Sequence, residues 1–160
     1  MKTIPLTHNT FAFIDDADFE LVSQFKWWLG ANGYAYTTHT RTTKSLMHRM
    51  LLAPPKGQFI DHIDGNRLNN QRSNLRLCTY TQNQQNTKKR IRSSSLFKGV
   101  FLDQPQRGKR KWSVQIQVQG KREHIGRFEN ERHAALAYDL WAKDLFGEFA
   151  KTNFPVVAHG

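Results

Sequence analysis

An acidic residue, Asp61, stands directly before a histidine, His62, and a turn rich in Gly and Asn follows through Gly65 and Asn66. Further along, Asn74 sits beside Leu75, an apolar residue able to anchor a second strand. Such a hairpin sets a carboxylate and an imidazole side by side at one strand end, pointing apart. A carboxylate can hold a hard cation through oxygen. An imidazole can accept a proton from water near neutral pH. Together they suit metal-assisted cleavage of a phosphodiester. Taken alone, an Asp-His pair reads as structural, because such neighbours arise by chance and Asp-Gly turns are common. The wider pattern changes that reading. Phe59 and Ile60 enter the pair as strand residues, Asn69 and Asn70 leave the turn, Asn74-Leu75 begins the next strand, and Thr79 and Asn83 mark where a helix starts.

The segment from His48 to Asn83 resembles the HNH endonuclease family, in the form found in phage and intron-encoded homing enzymes. The matching pieces are Met47-His48-Arg49, Asp61-His62-Ile63-Asp64-Gly65-Asn66, Asn69-Asn70, Ser73-Asn74-Leu75 and Thr79 through Asn83. The resemblance implies a ββα-metal module, a β-hairpin packed on a helix around one divalent ion. By the same resemblance His62 is the general base, Asp61 and Asn83 bind the metal, and Asn74 hydrogen-bonds the imidazole to fix its orientation. The residue types suit those roles. Asp61 and Asn83 offer hard oxygen, which favours magnesium or manganese over zinc. A neutral Asn in place of a second carboxylate keeps the site open to a phosphate. Asp64 is a rival ligand, but its place before Gly65 points to turn formation.

Composition bounds the answer in the same direction. In 160 residues, Lys and Arg total 24 against 13 Asp and Glu, a formal charge of +11. That excess attracts polyanions. One cysteine, Cys78, excludes an internal disulfide and a multi-cysteine zinc site. It lies in the apolar alternation of Leu75, Leu77 and Tyr80 and reads as packing. No apolar run is long enough to cross a membrane, so an intracellular protein with no membrane partner is expected.

The elements that must position these groups divide into two modules. Residues 1–85 form the nuclease module. Phe11, Phe13, Trp27, Trp28, Tyr34 and Tyr36 favour short strands and core, with an acidic turn at Asp15-Asp16. His48 falls on a short helix between Met47 and Met50-Leu51, where it either supports the site or packs, and Pro54-Pro55 ends that helix. Residues 86–95 form a basic linker in which Lys88, Lys89 and Arg90 would lie along the phosphate backbone. Residues 96–155 form the second module. Trp112 to Val118 alternates with period two: Trp112, Val114, Ile116 and Val118 on one face, Ser113, Gln115 and Gln117 on the other. Gly120 marks a turn, a third strand runs through Ile125, and Glu129 to Phe146 reads as a helix with an apolar stripe of Ala134, Ala137, Tyr138, Trp141 and Leu145. The fold class is α+β, with the second module a three-stranded antiparallel sheet packed on one helix.

That second module is similar to the ethylene-response-factor-type, or Apetala-two, DNA-binding domain. The similarity rests on Phe97-Lys98-Gly99-Val100, Lys111-Trp112, Ile125-Gly126-Arg127-Phe128, Ala134-Ala135 with Ala137-Tyr138-Asp139, and Asn153-Phe154-Pro155. In that family the sheet enters the major groove, which implies that Lys98, Gln115, Gln117, Arg122 and His124 face DNA. Phe101, Asp103, Gln115, Gln117 and His124 depart from the plant-type pattern, so a different base preference is expected. Gln pairs bidentately with adenine and Arg with guanine.

The chain is therefore expected to be a metal-dependent DNA endonuclease of the homing type. It would take one magnesium or manganese ion and act on double-stranded DNA as a monomer, in the host cytoplasm of a phage or prophage. The alternatives are a sequence-specific DNA-binding regulator with an inactive nuclease module, and an RNA-binding accessory protein. The second would favour aromatic side chains on an open sheet face, where Gln dominates here.

Overall fold

In the computed structural model, residues 1–38, 43–86, 94–103 and 111–155 are described. The chain divides into two compact units, Met1–Asn83 and Gln84–Gly160. It is a mixed α and β protein.

The first unit opens with an antiparallel hairpin, β1 (Lys2–Pro5) and β2 (Phe11–Ile14). Its turn uses left-handed backbone at His8 and Asn9. Ile4, Ala12 and Ile14 point inward, as strand alternation requires. A 3-10 turn at Asp16–Asp18 leads into α1 (Phe19–Ser23), which buries Val22. The Trp27 indole N–H donates to the Val22 carbonyl at 2.8 Å, so the largest core side chain also closes that helix end. A three-stranded antiparallel sheet follows in the order β3 (Trp28–Leu29), β4 (Ala35–Thr38), β5 (Lys44–Leu46). Helix α2 (Met47–Leu52) buries Met47, His48 and Leu51. It stops at Ala53, whose left-handed conformation precedes Pro54-Pro55.

The candidate residues lie on the next three elements, β6 (Phe59–His62), β7 (Leu75–Cys78) and α3 (Tyr80–Gln85). β6 and β7 pair antiparallel, with Asp61 opposite Arg76 and His62 opposite Leu75. Alternation divides the faces. Ile60 and Leu75 join the core with Ile4, Ile14, Trp27 and Met47, so His62 points toward that core. Phe59 and Asp61 point to the other face, where the Phe59 ring meets Tyr80 of α3 at 5.8 Å.

The second unit is an antiparallel sheet of β8 (Val100–Leu102), β9 (Trp112–Val118) and β10 (Lys121–Phe128), ordered β10-β9-β8. Across one face lies α4 (Glu131–Phe146). Gly99 is needed where β8 begins. Its φ is +75°, and a Cβ there would sit 2.0 Å from the Tyr138 ring. The helix begins at Glu131, two residues later than the sequence suggests. Asn130 sets that start, because its side chain accepts from the backbone N–H groups of Arg132 and His133. Gly147, whose φ is +53°, ends it.

The buried stripe of α4 also differs from expectation. It runs through Ala134, Ala135, Tyr138, Asp139 and Ala142, while Trp141 and Leu145 are exposed. Small alanines let the helix approach the sheet. The Asp139 carboxylate accepts from the backbone N–H groups of Asn153 (2.7 Å) and Phe154 (2.9 Å), which accounts for a buried acid there and ties the last described segment to the helix.

Candidate active site

The loop between β6 and β7 is held closed by its own polar side chains. Asp64 accepts the Asn66 backbone N–H at 2.7 Å and the Asn69 amide at 2.9 Å. It also bonds Asn74 twice, donating its backbone N–H at 3.1 Å and accepting the Asn74 amide at 3.0 Å. The Asn74 amide donates again to the Asn69 carbonyl at 2.8 Å. Asp64 is thus the hub of the turn, and these bonds hold its carboxyl below the usual carboxylate range against the opposing pull of desolvation. Strand β2 anchors the loop from outside: Phe13 N–H donates to Leu68 O at 2.8 Å, and Asn70 N–H to Phe13 O at 2.7 Å.

This arrangement corrects the expected partner of the imidazole. Asn70, not Asn74, meets His62, with Asn70 Oδ1 3.3 Å from Nε2. Asn74 is committed to Asp64 and Asn69. The Asn70 amide nitrogen donates to Leu68 O at 3.2 Å, which turns its oxygen toward the ring. Nε2 therefore carries the proton and donates, and in the neutral ring Nδ1 keeps the in-plane lone pair. Burial pushes the His62 pKa down, Asn70, Asp64 and Asp61 oppose that, and the Arg67 charge adds to it. The net direction leaves a neutral imidazole at pH 7, able to take up a proton.

Two other rings enclose His62. His48 of α2 meets it edge to face, centroids 5.1 Å apart, and Tyr34 touches both, at 5.0 Å from His48 and 5.7 Å from His62. His48 is 6 % exposed, and among the described residues its Nδ1 has no hydrogen-bond partner. Burial, with the nearby His62 and Arg49, pushes its pKa down to about 3. Tyr34 also carries the Arg67 guanidinium, 4.9 Å from its ring centre, and Arg67 Nη1 donates to Asn32 O at 2.6 Å.

On the opposite face of β6, Asp61 takes a cation. Arg76, its cross-strand partner, donates to Asp61 Oδ2 from Nε at 3.0 Å and from Nη2 at 2.7 Å, with both side chains largely buried. The Asn83 side chain is half-buried on α3, one turn beyond Tyr80 and hence on the side of the helix that meets Phe59. Among the described residues, no three His, Cys, Asp or Glu gather as a metal cluster. The donor set still fits a hard divalent cation of the magnesium type. Such an ion takes one or two protein oxygens and completes its shell with water and substrate phosphate.

In the second unit, the register places Gln117 opposite Arg122, Gln115 opposite His124 and Ser113 opposite Arg127. These pairs share the sheet face away from Val114 and Ile116, which pack under α4. A β-bulge at Ile125 shifts the register between His124 and Gly126. It returns Arg127 to the open face, where Asp103 accepts its Nε at 2.5 Å. Lys98 is a correction. Its Nζ donates to Gln85 O at 2.7 Å and lies 6.0 Å from the Tyr138 ring centre. Burial pushes its pKa down to about 8. Lys98 sits before β8, where the Gly99 turn sends its side chain toward Tyr138 and away from the open face. Lys88, Lys89 and Arg90 lie outside the described residues.

Reading the sequence alone misses Asn70, Arg67, Tyr34 and the Asp61–Arg76 pair. The tandem Asn69-Asn70 was a signal, because one of two neighbouring amides on a closed loop can face the ring. Hairpin register would have found Arg76.

A family model described as HNH endonuclease matches residues 53–85. An uncharacterised HNH endonuclease of Acanthamoeba polyphaga mimivirus is 35% identical over 151 residues, covering 91% of this chain and 75% of that protein. Protein 3.8 of Escherichia phage T7 is 32% identical over 97 residues, covering 61% of this chain and 77% of its own. No solved structure matches. Among the described residues, no helix is long and apolar enough to cross a membrane.

Proposed function

The chain belongs to the HNH endonuclease family and is a nuclease, and from that premise we propose that it is a metal-dependent endonuclease of the homing type acting on double-stranded DNA. The observation that carries this reading is the pair on β6: a neutral imidazole braced by Asn70 on one face, a cation-binding carboxylate on the other. β6, β7 and α3 form the ββα-metal module. His62 Nδ1 takes the proton of the attacking water as its oxygen bonds to phosphorus. The bond to the leaving sugar oxygen then breaks with its electron pair. Asn70 holds the ring in the tautomer that makes this transfer possible. Asp61 and Asn83 would hold magnesium or manganese, which when bound polarises the phosphate and offsets charge on the leaving oxygen. Arg76 competes for Asp61 and keeps its buried charge paired in the absence of the ion.

The unit Gln84–Gly160 supplies affinity and register. Gln115, Gln117, Arg122 and His124 form a polar, basic sheet face of the kind that enters a major groove, as in the Apetala-two-type domain. Lys88, Lys89 and Arg90 add phosphate contacts. The protein acts as a monomer on its site, within the cell that hosts the encoding replicon. The test is incubation of the purified chain with supercoiled plasmid DNA and magnesium. Nicked or linear product that stops on adding EDTA is expected. Undiminished cleavage in EDTA contradicts the metal-dependent reading.

A further inference from the structure

We infer that Arg67 is a catalytic residue that binds the scissile phosphate beside His62. The inference rests on the nuclease reading of this site and adds a third group from the same hairpin to Asp61 and His62.

Three arginines border the hairpin, and two are neutralised. Arg72 pairs with Asp18 at 2.8 Å, and Arg76 with Asp61 at 2.7 Å. Among the described residues no carboxylate pairs with Arg67. Its partners are a backbone carbonyl, Asn32 O at 2.6 Å, and the Tyr34 ring. Its stem crosses Gly33, where an added Cβ would touch Arg67 Cδ at 3.7 Å. One hydrogen bond and one aromatic platform therefore hold an exposed, uncompensated guanidinium in place.

Its position gives the charge a use. The ring that carries Arg67 is the ring that touches His62, so cation and base share one support. With Nη1 committed to Asn32, the remaining N–H donors of the fork match two non-bridging oxygens of a phosphodiester. Negative charge grows on those oxygens as water adds to phosphorus. A guanidinium already fixed in place stabilises it without paying an ordering cost during the reaction.

The test is single-turnover cleavage of supercoiled plasmid DNA with magnesium and saturating enzyme, comparing wild type with Arg67→Ala, Arg67→Gln, Arg67→Lys and His62→Ala. DNA affinity is measured in EDTA in parallel. Arg67→Ala is expected to slow the saturated rate by roughly 10²–10³-fold, the cost of losing one such donor, while affinity falls by less than tenfold. Arg67→Gln keeps the stem as far as Cδ and an N–H donor but no charge, and it is expected to be as slow as Ala. Lys restores part of the rate, because a point charge lacks the fork. Arg67→Ala or Arg67→Gln cleaving at the wild-type saturated rate overturns the inference, as does a loss confined to affinity. His62→Ala reports separately: a wild-type rate there strikes the base assignment and leaves the Arg67 comparison intact.

Discussion

Acid should unfold this protein partly through His48, and the size of the effect follows from its surroundings. His48 is 6 % exposed between Tyr34 and His62, and burial pushes its pKa from 6.5 down to about 3. An unfolded chain takes up this proton near pH 6.5, whereas the native protein resists until about pH 3. The native state is therefore the weaker proton binder, and stability falls with falling pH through that window, by about 1.4 kcal/mol per unit. At pH 5 the loss from this one ring is about 2 kcal/mol, a substantial share of the roughly 5–15 kcal/mol that holds a domain together. His48→Leu removes the titration, places an apolar side chain beside Met47 and Leu51, and deletes the unpartnered Nδ1, a saving of about 1–3 kcal/mol. Urea unfolding at pH 5, 6, 7 and 8, wild type against His48→Leu, is the assay. The variant should be at least as stable at pH 7 and should lose about 2 kcal/mol less on going to pH 5. Parallel curves for the two proteins would refute the reasoning, because they would mean that His48 charges as easily in the native state as in the unfolded chain.

Asn70→Leu should slow cleavage by roughly tenfold or more by releasing the His62 tautomer; Asn74→Ala should instead loosen the loop and lower the melting temperature. A larger loss of saturated rate for Asn74→Ala at equal folded fraction would reverse these assignments. Arg76→Met removes the guanidinium that pairs with the buried Asp61 carboxylate, and breaking such a pair should cost about 3–5 kcal/mol. Magnesium should restore more stability to that variant than to wild type, as read by thermal melts, and equal shifts would count against Asp61 as a ligand. The fragment Gln84–Gly160 should bind duplex DNA with strong salt dependence and never cut it. Within the fragment, Gln115→Ala should relax preference at one base pair by about 1–3 kcal/mol. A uniform loss across sequences would assign Gln115 to the fold.

What could be read from the sequence depended on how local each signal was. β9 announces itself because Val114 and Ile116 alternate with Gln115 and Gln117, a period that only a strand with one buried face explains. Asp61 and His62 are adjacent in the chain, so their opposite faces follow from strand geometry alone. The partner of His62 is not local. Asn70 reaches the ring because β2, nearly sixty residues earlier, clamps Leu68 and Asn70 through backbone bonds, and no spacing in the hairpin encodes that. Lys98 was misplaced for a similar reason. Its expected position came from the sheet, while its side chain follows the Gly99 turn to a carbonyl at the end of α3. On α4 the large apolar residues drew attention, but close approach to a sheet favours small ones. Ala135 and Ala142 are buried where Trp141 and Leu145 are not. Tyr34 reads as a core aromatic in sequence and is half-buried in the fold, where it touches both histidines and the Arg67 cation.

The central claim is that His62 is the base of a metal-dependent cleavage. Its most direct test is the single-turnover rate of plasmid cleavage in magnesium for wild type and His62→Ala, both shown to bind DNA equally in EDTA. Loss of the base is expected to slow cleavage by roughly 10²–10⁴-fold with affinity unchanged. Equal rates for the two proteins would contradict the account.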